Sequence, residues 1–318
     1  MRSILRFLAA VALANVAFSS FAQQNPAEPV QLVIPSAPGG GMDVVGRLFA
    51  RFLQDRLGRD VVVVNKPGAQ TLVGAKFVAM APPSGNVLLF ATSITNFPVF
   101  VKNPGMEVAR DLEFISLILQ APQIVTVASA SPDKSVADLV ARARTRPGNF
   151  FYASYGQSIW LMTETFNRAA GIDAKILRFN GGAEAALAIE RGEADYFLSS
   201  LGTIRPAFEA GRMRMLAVTS RERNHNLPNV PSLPEAGVNT EDLRVWMGLF
   251  APHGTPRPII DRLNRIAAEF THDAASATFM RSLGFEPTST TPEEFRDLFI
   301  REENTFVKIG KELGIQPE

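Results

Sequence analysis

The sequence predicts an α/β protein of two lobes, each a helix-covered sheet, joined by chain crossings inside the fold. Three observations predict it. Short β-rich runs alternate with helical patterns along the chain, the arrangement that builds parallel sheets covered on both faces. The strand–helix units are too many for one compact sheet, yet no low-complexity or linker-like tract separates two independent domains. The length, 318 residues, suits about two units of ordinary size.

The first residues precede the fold. Arg2 and Arg6 form a basic start, 7–18 is an apolar run broken only by Asn15, and Ser20-Phe21-Ala22 offers small residues at a cleavage site. This three-part pattern reads as a secretory signal over 1–22, with a mature start at Gln23. The run is shorter than the roughly 20 apolar residues that span a bilayer. No cysteine follows it to carry a lipid.

The elements then follow in order. A β-rich run at 30–35 leads to a helical stripe over 44–57, with Val45, Leu48, Phe49, Phe52 and Leu53 on one face and Gly58 placed to stop it. Four valines at 61–64 read as a buried strand. A short helix near 72–80 precedes a strand at 87–91. Residues 114–119 and 123–128 are extended, and Ser135 caps a helix with Asp138 three residues on. Further strands are expected at 150–154, 176–179, 196–198 and 215–219. Thr255-Pro256 and Thr291-Pro292 each place a cap residue before a proline at the first helical position, and Glu294 completes a capping box for the second. The last helix runs to Leu313.

Composition narrows the function. The formal charge is +1, and −1 once Arg2 and Arg6 are removed, which argues against a nucleic-acid partner. With no cysteine there is no disulfide, thiolate nucleophile, Fe–S cluster or Cys-ligated zinc. The three histidines, His225, His253 and His272, fall in no metal-ligand spacing. Gly39-Gly40-Gly41 lacks the Lys-Ser/Thr of a P-loop and the spacing of a dinucleotide fingerprint, and no Gly-x-Ser-x-Gly elbow exists, so no cofactor is expected.

The informative residues stand at strand-to-helix junctions, where ligands of open α/β sheets bind. Four are rich in Gly, Ser, Thr or Asn: 36–43, 92–96, 154–158 and 180–182. A helix start leaves N–H groups unpaired and carries partial positive charge, and glycine lets the backbone approach an anion closely. Read alone, these are either ordinary turns and caps or the walls of a small-anion site. Asp43 is either a first-turn cap or a pocket residue.

The segment Val33-Ile34-Pro35-Ser36-Ala37-Pro38-Gly39-Gly40-Gly41-Met42-Asp43 resembles the opening of the Bug receptors, the periplasmic solute-binding proteins of tripartite tricarboxylate transporters. Val61-Val62-Val63-Val64-Asn65-Lys66-Pro67-Gly68-Ala69 is similar to that family's valine-rich strand and turn. Leu216-Ala217-Val218-Thr219-Ser220, Pro228-x-Val230-Pro231-Ser232-x-x-Glu235-Ala236-Gly237, Trp246-x-Gly248-Leu249-Phe250-Ala251-Pro252 and Thr291-Pro292-Glu293-Glu294-Phe295 match in the same order. The resemblance covers essentially the whole chain after the leader.

It implies a type II periplasmic-binding-protein fold with a ligand cleft, no catalysis, and lobe closure on a small carboxylate that is then passed to membrane permease subunits. The lobes would be 23–120, 121–243 and a return to the first over 244–318, in a monomer. The ligand would lie against Ser36, Ala37, Pro38, Gly39, Gly40, Gly41, Met42 and Asp43, then Thr92 and Ser93. From the second lobe it would meet Ser154, Tyr155, Gly156, Gln157, Ser158, Trp160, Ser199 and Ser200. The chain departs from the family in a shortened 154–158 loop, in Phe179-Asn180-Gly181 where Tyr-Lys-Gly is common, in Ser199-Ser200 where Asp-Asn is common, and in Met42 where Thr is frequent. A wall of Trp160, Tyr155 and Met42 would suit an aromatic or bulky carboxylate, while Trp246 reads as structural. The alternatives are a secreted α/β hydrolase built on Ser154 and a sensing co-receptor that serves no transport.

Overall fold

The computed structural model describes residues 28–92, 97–240 and 242–317; the leader and its cleavage site lie outside them. The first half runs β1 (Val30–Ile34), α1 (Gly41–Leu57), β2 (Val61–Asn65), α2 (Leu72–Ala79), β3 (Val87–Ala91), α3 (Phe97–Phe100), α4 (Val108–Asp111) and β4 (Leu112–Pro122). Next come β5 (Ile124–Ala128), α5 (Val136–Arg144), β6 (Phe151–Tyr155), α6 (Gln157–Ala170), β7 (Lys175–Phe179), α7 (Gly182–Glu190), β8 (Tyr196–Ser199), α8 (Leu201–Glu209) and β9 (Met213–Val218). The chain ends with β10 (Arg244–Pro252), α9 (Arg257–His272), α10 (Ala274–Ser282), β11 (Glu286–Pro287) and α11 (Pro292–Glu312).

Two sheets result, ordered β11-β4-β10-β3-β1-β2 and β7-β6-β8-β5-β9. They are mixed rather than wholly parallel. β1 pairs parallel with β2 and β3, and β6 with β7 and β8, as alternation predicts. β10 runs antiparallel to β3 and β4, and β5 antiparallel to β8 and β9. The reversed strands belong to the crossings: β4 leads into β5, and β10 brings the chain back from the second sheet. A strand that returns from the other lobe enters the sheet from the far side and opposes its neighbours.

Local signals hold where the physics is local. The α1 stripe buries Val45, Phe49 and Leu53 against Leu32, Ile34 and Phe90. Gly58, at φ 67°, ends the helix with its N–H on the Gln54 carbonyl at 2.9 Å. Ser135 Oγ accepts the Asp138 N–H at 3.1 Å. The capping box at Thr291 and Glu294 closes in both directions. Two expectations shift. The valines of β2 are half-buried, with Val62 exposed, because the strand is an edge with a neighbour on one side only. α9 starts at Arg257, not at Pro256; the Thr255 hydroxyl donates to the Pro252 carbonyl at 2.7 Å and so shapes the preceding turn instead of capping.

Two features tie the lobes. Buried Thr219 clasps the crossings: its N–H donates to the Gln123 carbonyl, and its Oγ1 accepts the Gln123 N–H at 2.8 Å and donates to the Leu243 carbonyl at 2.5 Å. α11 is the second tie. Phe295 and Phe299 pack in the first lobe's core beside Trp246, whereas Phe306 and Ile309 join the second lobe's core. Trp246 is buried, and its indole donates to Glu302 Oε2 at 2.8 Å. Gly248 lies beneath the Phe295 ring, where a Cβ would come within 2.2 Å of the ring carbon Cζ. Among the described residues no helix is long and apolar enough to cross a membrane.

Candidate functional site

Parallel pairing brings the carboxyl ends of β1, β2 and β3 to one edge of the first sheet, and those of β6, β7 and β8 to one edge of the second. After β1 the backbone turns through Gly39 at φ +87°, a conformation that L side chains rarely adopt. Ala37, Pro38, Gly39, Gly40 and Gly41 are exposed. No side chain caps α1, so its first-turn N–H groups are left to partners from outside the helix.

Asp43 explains the shape of this loop. Its side chain is buried; Oδ2 accepts the Gly39 N–H and Arg47 Nε, each at 2.9 Å, and Oδ1 accepts Asn65 Nδ2 at 2.8 Å. Asn65 also donates to the Ser36 carbonyl at 3.0 Å and accepts Arg47 Nη2 at 2.9 Å. The Arg47 hydrogen bond, helped by those from Gly39 and Asn65, holds the carboxyl down at about 2 against the cost of burial. Both oxygens are engaged in fixing the loop, so Asp43 shapes the site from behind. Ser36 Oγ is buried with no hydrogen-bond partner. Met42 packs on the first lobe's core, whereas Trp160 packs on the second lobe's. Ser93 lies outside the described residues, and Thr92 is half-buried and engaged.

The second lobe's edge is built differently. Ser154 is buried, and its Oγ has no hydrogen-bond partner; the same holds for Gln157 Oε1. Gly156, at φ +68°, starts α6 without a side-chain cap. The Tyr155 hydroxyl reaches Ser200 and Thr203, and burial raises its pKa. Ser199 is buried, with Oγ 3.4 Å from Thr126 Oγ1, and Ser200 caps α8 while bonding Thr203 Oγ1 at 2.9 Å. Both hydroxyls therefore serve local structure. Ser158 is half-buried and engaged.

Trp160 faces the gap between the edges. Its ring packs on Phe100 of the first-lobe edge, centroids 5.6 Å apart, and the Arg178 guanidinium lies 4.1 Å over it. A cavity of about 450 Å³ is lined there by Ala69, Phe100, Gln157, Trp160, Arg178 and Ile315, among others. It joins the two edges, which therefore face each other.

Two residues escaped the sequence reading. Thr71 follows β2 in a left-handed backbone, φ 81°, with its Oγ1 buried and unpartnered; the Pro67-Gly68-Ala69 turn signalled a further junction here. Arg178 sits one residue before the Phe179-Asn180-Gly181 junction, and a cation at a strand end was its only signal.

Among the described residues Ser154 Oγ has no hydrogen-bond partner that could act as a base. His253 Nδ1 stands 2.9 Å from Glu113 Oε1, and His272 Nδ1 lies 2.7 Å from the Ala268 carbonyl. Among the described residues no group of three or more His, Asp or Glu side chains could hold a metal ion.

Comparison with known proteins gives the family. Residues 45–315 match the tripartite tricarboxylate transporter family receptor. A protein encoded in the tcbD-tcbE intergenic region of a Pseudomonas species is 31% identical over 96% of this chain and 93% of its own length. Protein BugT of Bordetella pertussis is 28% identical over 96% and 95%. An R. palustris protein solved with adipate superposes with a TM-score of 0.74 at 29% identity, covering 93% of this chain and all of the other. With its two lobes and facing junction edges, the chain belongs to the receptor family of the tripartite tricarboxylate transporters, solute-binding proteins rather than enzymes.

Proposed function

We propose that this receptor captures a small carboxylate in the cleft between its lobes, closes over it, and delivers it to membrane permease subunits. The observation that carries the reading is that, of the nine buried polar side-chain atoms without a hydrogen-bond partner among the described residues, four stand at these junctions: Ser36 Oγ and Thr71 Oγ1 on one edge, and Ser154 Oγ and Gln157 Oε1 on the other. Buried polar groups in folded proteins are nearly always hydrogen-bonded. Here they accompany two uncapped helix starts, at Gly40 and Gly156, whose N–H groups suit an anion. The adipate bound by the R. palustris relative supports an organic acid as ligand.

The magnitudes agree. Three or four charge-assisted bonds at roughly 1.5–3 kcal/mol each contribute several kcal/mol, and with modest apolar contact they offset the association and ordering costs far enough to put micromolar affinity, about −8 kcal/mol, within reach. The ligand's carboxylate would meet the backbone of 39–41 and the Ser36 and Ser154 hydroxyls, with closure bringing the two edges together.

A thermal-shift screen of organic acids that includes adipate, followed by calorimetry, tests this: at least one small carboxylate should raise the melting temperature and bind at micromolar concentration. A flat response across the acids, with neutral or cationic solutes binding instead, would sink it. Export through the 1–22 leader is part of the proposal. The mature protein should have an intact mass beginning at Gln23, and a soluble form retaining 1–22 would refute that.

A further inference from the structure

We propose that Arg178, held over the Trp160 ring, is a specificity-determining residue: its guanidinium takes an anionic group at the far end of the ligand. This rests on the reading above, in which a first carboxylate is held by the junction loops. The register of the second sheet places Arg178 there. β7 pairs parallel with β6, with Arg178 opposite Ser154. Directly paired residues in a sheet share a face. Tyr152 and Ile176, two positions earlier in each strand, pack on the same core as Trp160. Arg178 and the unpartnered Ser154 hydroxyl are thus neighbours on the α6 side.

Arg178 is held but not neutralised. It makes no ion pair with a carboxylate among the described residues, although several other arginines of the same lobe are paired: Arg142 and Arg146 with Asp195, Arg168 with Glu312, and Arg212 with Glu190. Its contact is the indole face, 4.1 Å from guanidinium carbon to ring centroid. A guanidinium held over a ring is attracted to the π face without a carboxylate partner, and its N–H fork matches a carboxylate in two parallel bonds. The platform itself is braced. Trp160 packs on Phe100, and Glu164, one turn on in α6, lies against the indole while accepting the Tyr152 hydroxyl. Phe100 comes from the first lobe's edge, so the platform is completed across the cleft.

The surroundings fit an anion with a short apolar body. The cavity beside the guanidinium is lined by Ala69, Phe100 and Ile315, with the Gln157 amide as its buried polar group. With Arg178 on its ring and Phe100 against it, Trp160 has little face left for a stacked ligand ring. The pocket therefore discriminates by charge at the ligand's far end rather than by aromaticity.

The test uses linear α,ω-dicarboxylates of three to eight carbons and the monocarboxylates of equal length, titrated by calorimetry. In the unmodified protein at least one dicarboxylate should bind tenfold or more tighter than its monocarboxylate. Arg178→Met should erase that ratio, leaving monocarboxylate affinity within twofold and the melting temperature unchanged. Arg178→Lys should restore part of the ratio. Trp160→Ala, which removes the platform but keeps the charge, should lower it. A ratio that survives Arg178→Met, or monocarboxylates that bind the unmodified protein as tightly as dicarboxylates, would overturn the assignment while leaving the receptor reading intact. Failure of both series to bind would overturn the two together.

Discussion

The two edges that face each other across the cleft are built from the same local pieces, a strand, a glycine turn and an uncapped helix, yet they use their charged side chains in opposite ways. On the first edge the one buried carboxylate, Asp43, is turned inward and fully occupied by Gly39, Arg47 and Asn65. On the second, Ser154 Oγ and Gln157 Oε1 are buried and without partners among the described residues, and Arg178 lies over the Trp160 ring with no ion pair there. The difference teaches a division of labour. The first edge offers its backbone with the Ser36 and Thr71 hydroxyls, and its charge serves shape. The second offers a charge as well, and there a change of residue alters what is recognised without rebuilding the loop.

Removing Asp43 is the largest expected way to break this contrast. Asp43→Ala deletes three hydrogen bonds, two of them from neutral donors and one from Arg47, and should lower the unfolding free energy by about 3 kcal/mol in a urea titration. The same carboxyl sets an acid limit. Its folded pKa, about 2, lies below the usual carboxylate value of 3.8. Its stabilisation is therefore complete above the unfolded value and is lost as pH falls through that window towards the folded one. Denaturation followed between pH 4 and pH 2 should show a shallower loss in Asp43→Ala than in the unmodified protein. Equal slopes would mean that other carboxyls dominate.

Gly40→Val comes next. Gly40 has an ordinary φ of −71°, and an added Cβ would stand 3.7 Å from the Ala37 carbonyl oxygen, a normal contact. The variant should fold with an unchanged melting temperature. Its branched side chain would cover the backbone offered to a carboxylate, and affinity should fall by about 30-fold, close to 2 kcal/mol. Undiminished binding would reduce the loop to a turn.

The smallest effect sharpens the comparison most. Ser154→Ala removes a buried hydroxyl that has no protein partner, so stability should hold or rise slightly, whereas ligand affinity should drop by about 1 kcal/mol, roughly fivefold. A stability loss without an affinity loss would place Ser154 with Asp43 as a structural residue and remove the distinction between the edges.

Much of the fold was legible because it rests on short-range physics. The stripe of α1, its stop at Gly58, the Ser135 cap and the Thr291–Glu294 box need only neighbours within a turn. Strand direction was not legible. β10 carries no local mark that it runs antiparallel between β3 and β4, since that follows from the chain's return out of the second lobe. The misjudged burial of the β2 valines has the same origin, because whether a strand is central or edge depends on which distant segment pairs with it.

For the site, the sequence alone marked the glycine junctions at 39–41 and 156, since glycine adopts φ above zero and admits close backbone approach without the steric cost other residues carry. It also determined, through motifs spread along the chain, the receptor family. Tertiary structure decided which side chains remain available. Asp43 is occupied because Asn65, at the end of a neighbouring strand, reaches it. Ser199 is occupied because Thr126 lies within reach from β5. Met42 is drawn into a core while Trp160 meets Phe100 from the opposite lobe and carries Arg178 on its ring. A residue's type states what it can bond; only the packing of distant segments decides whether a protein group has already taken that bond.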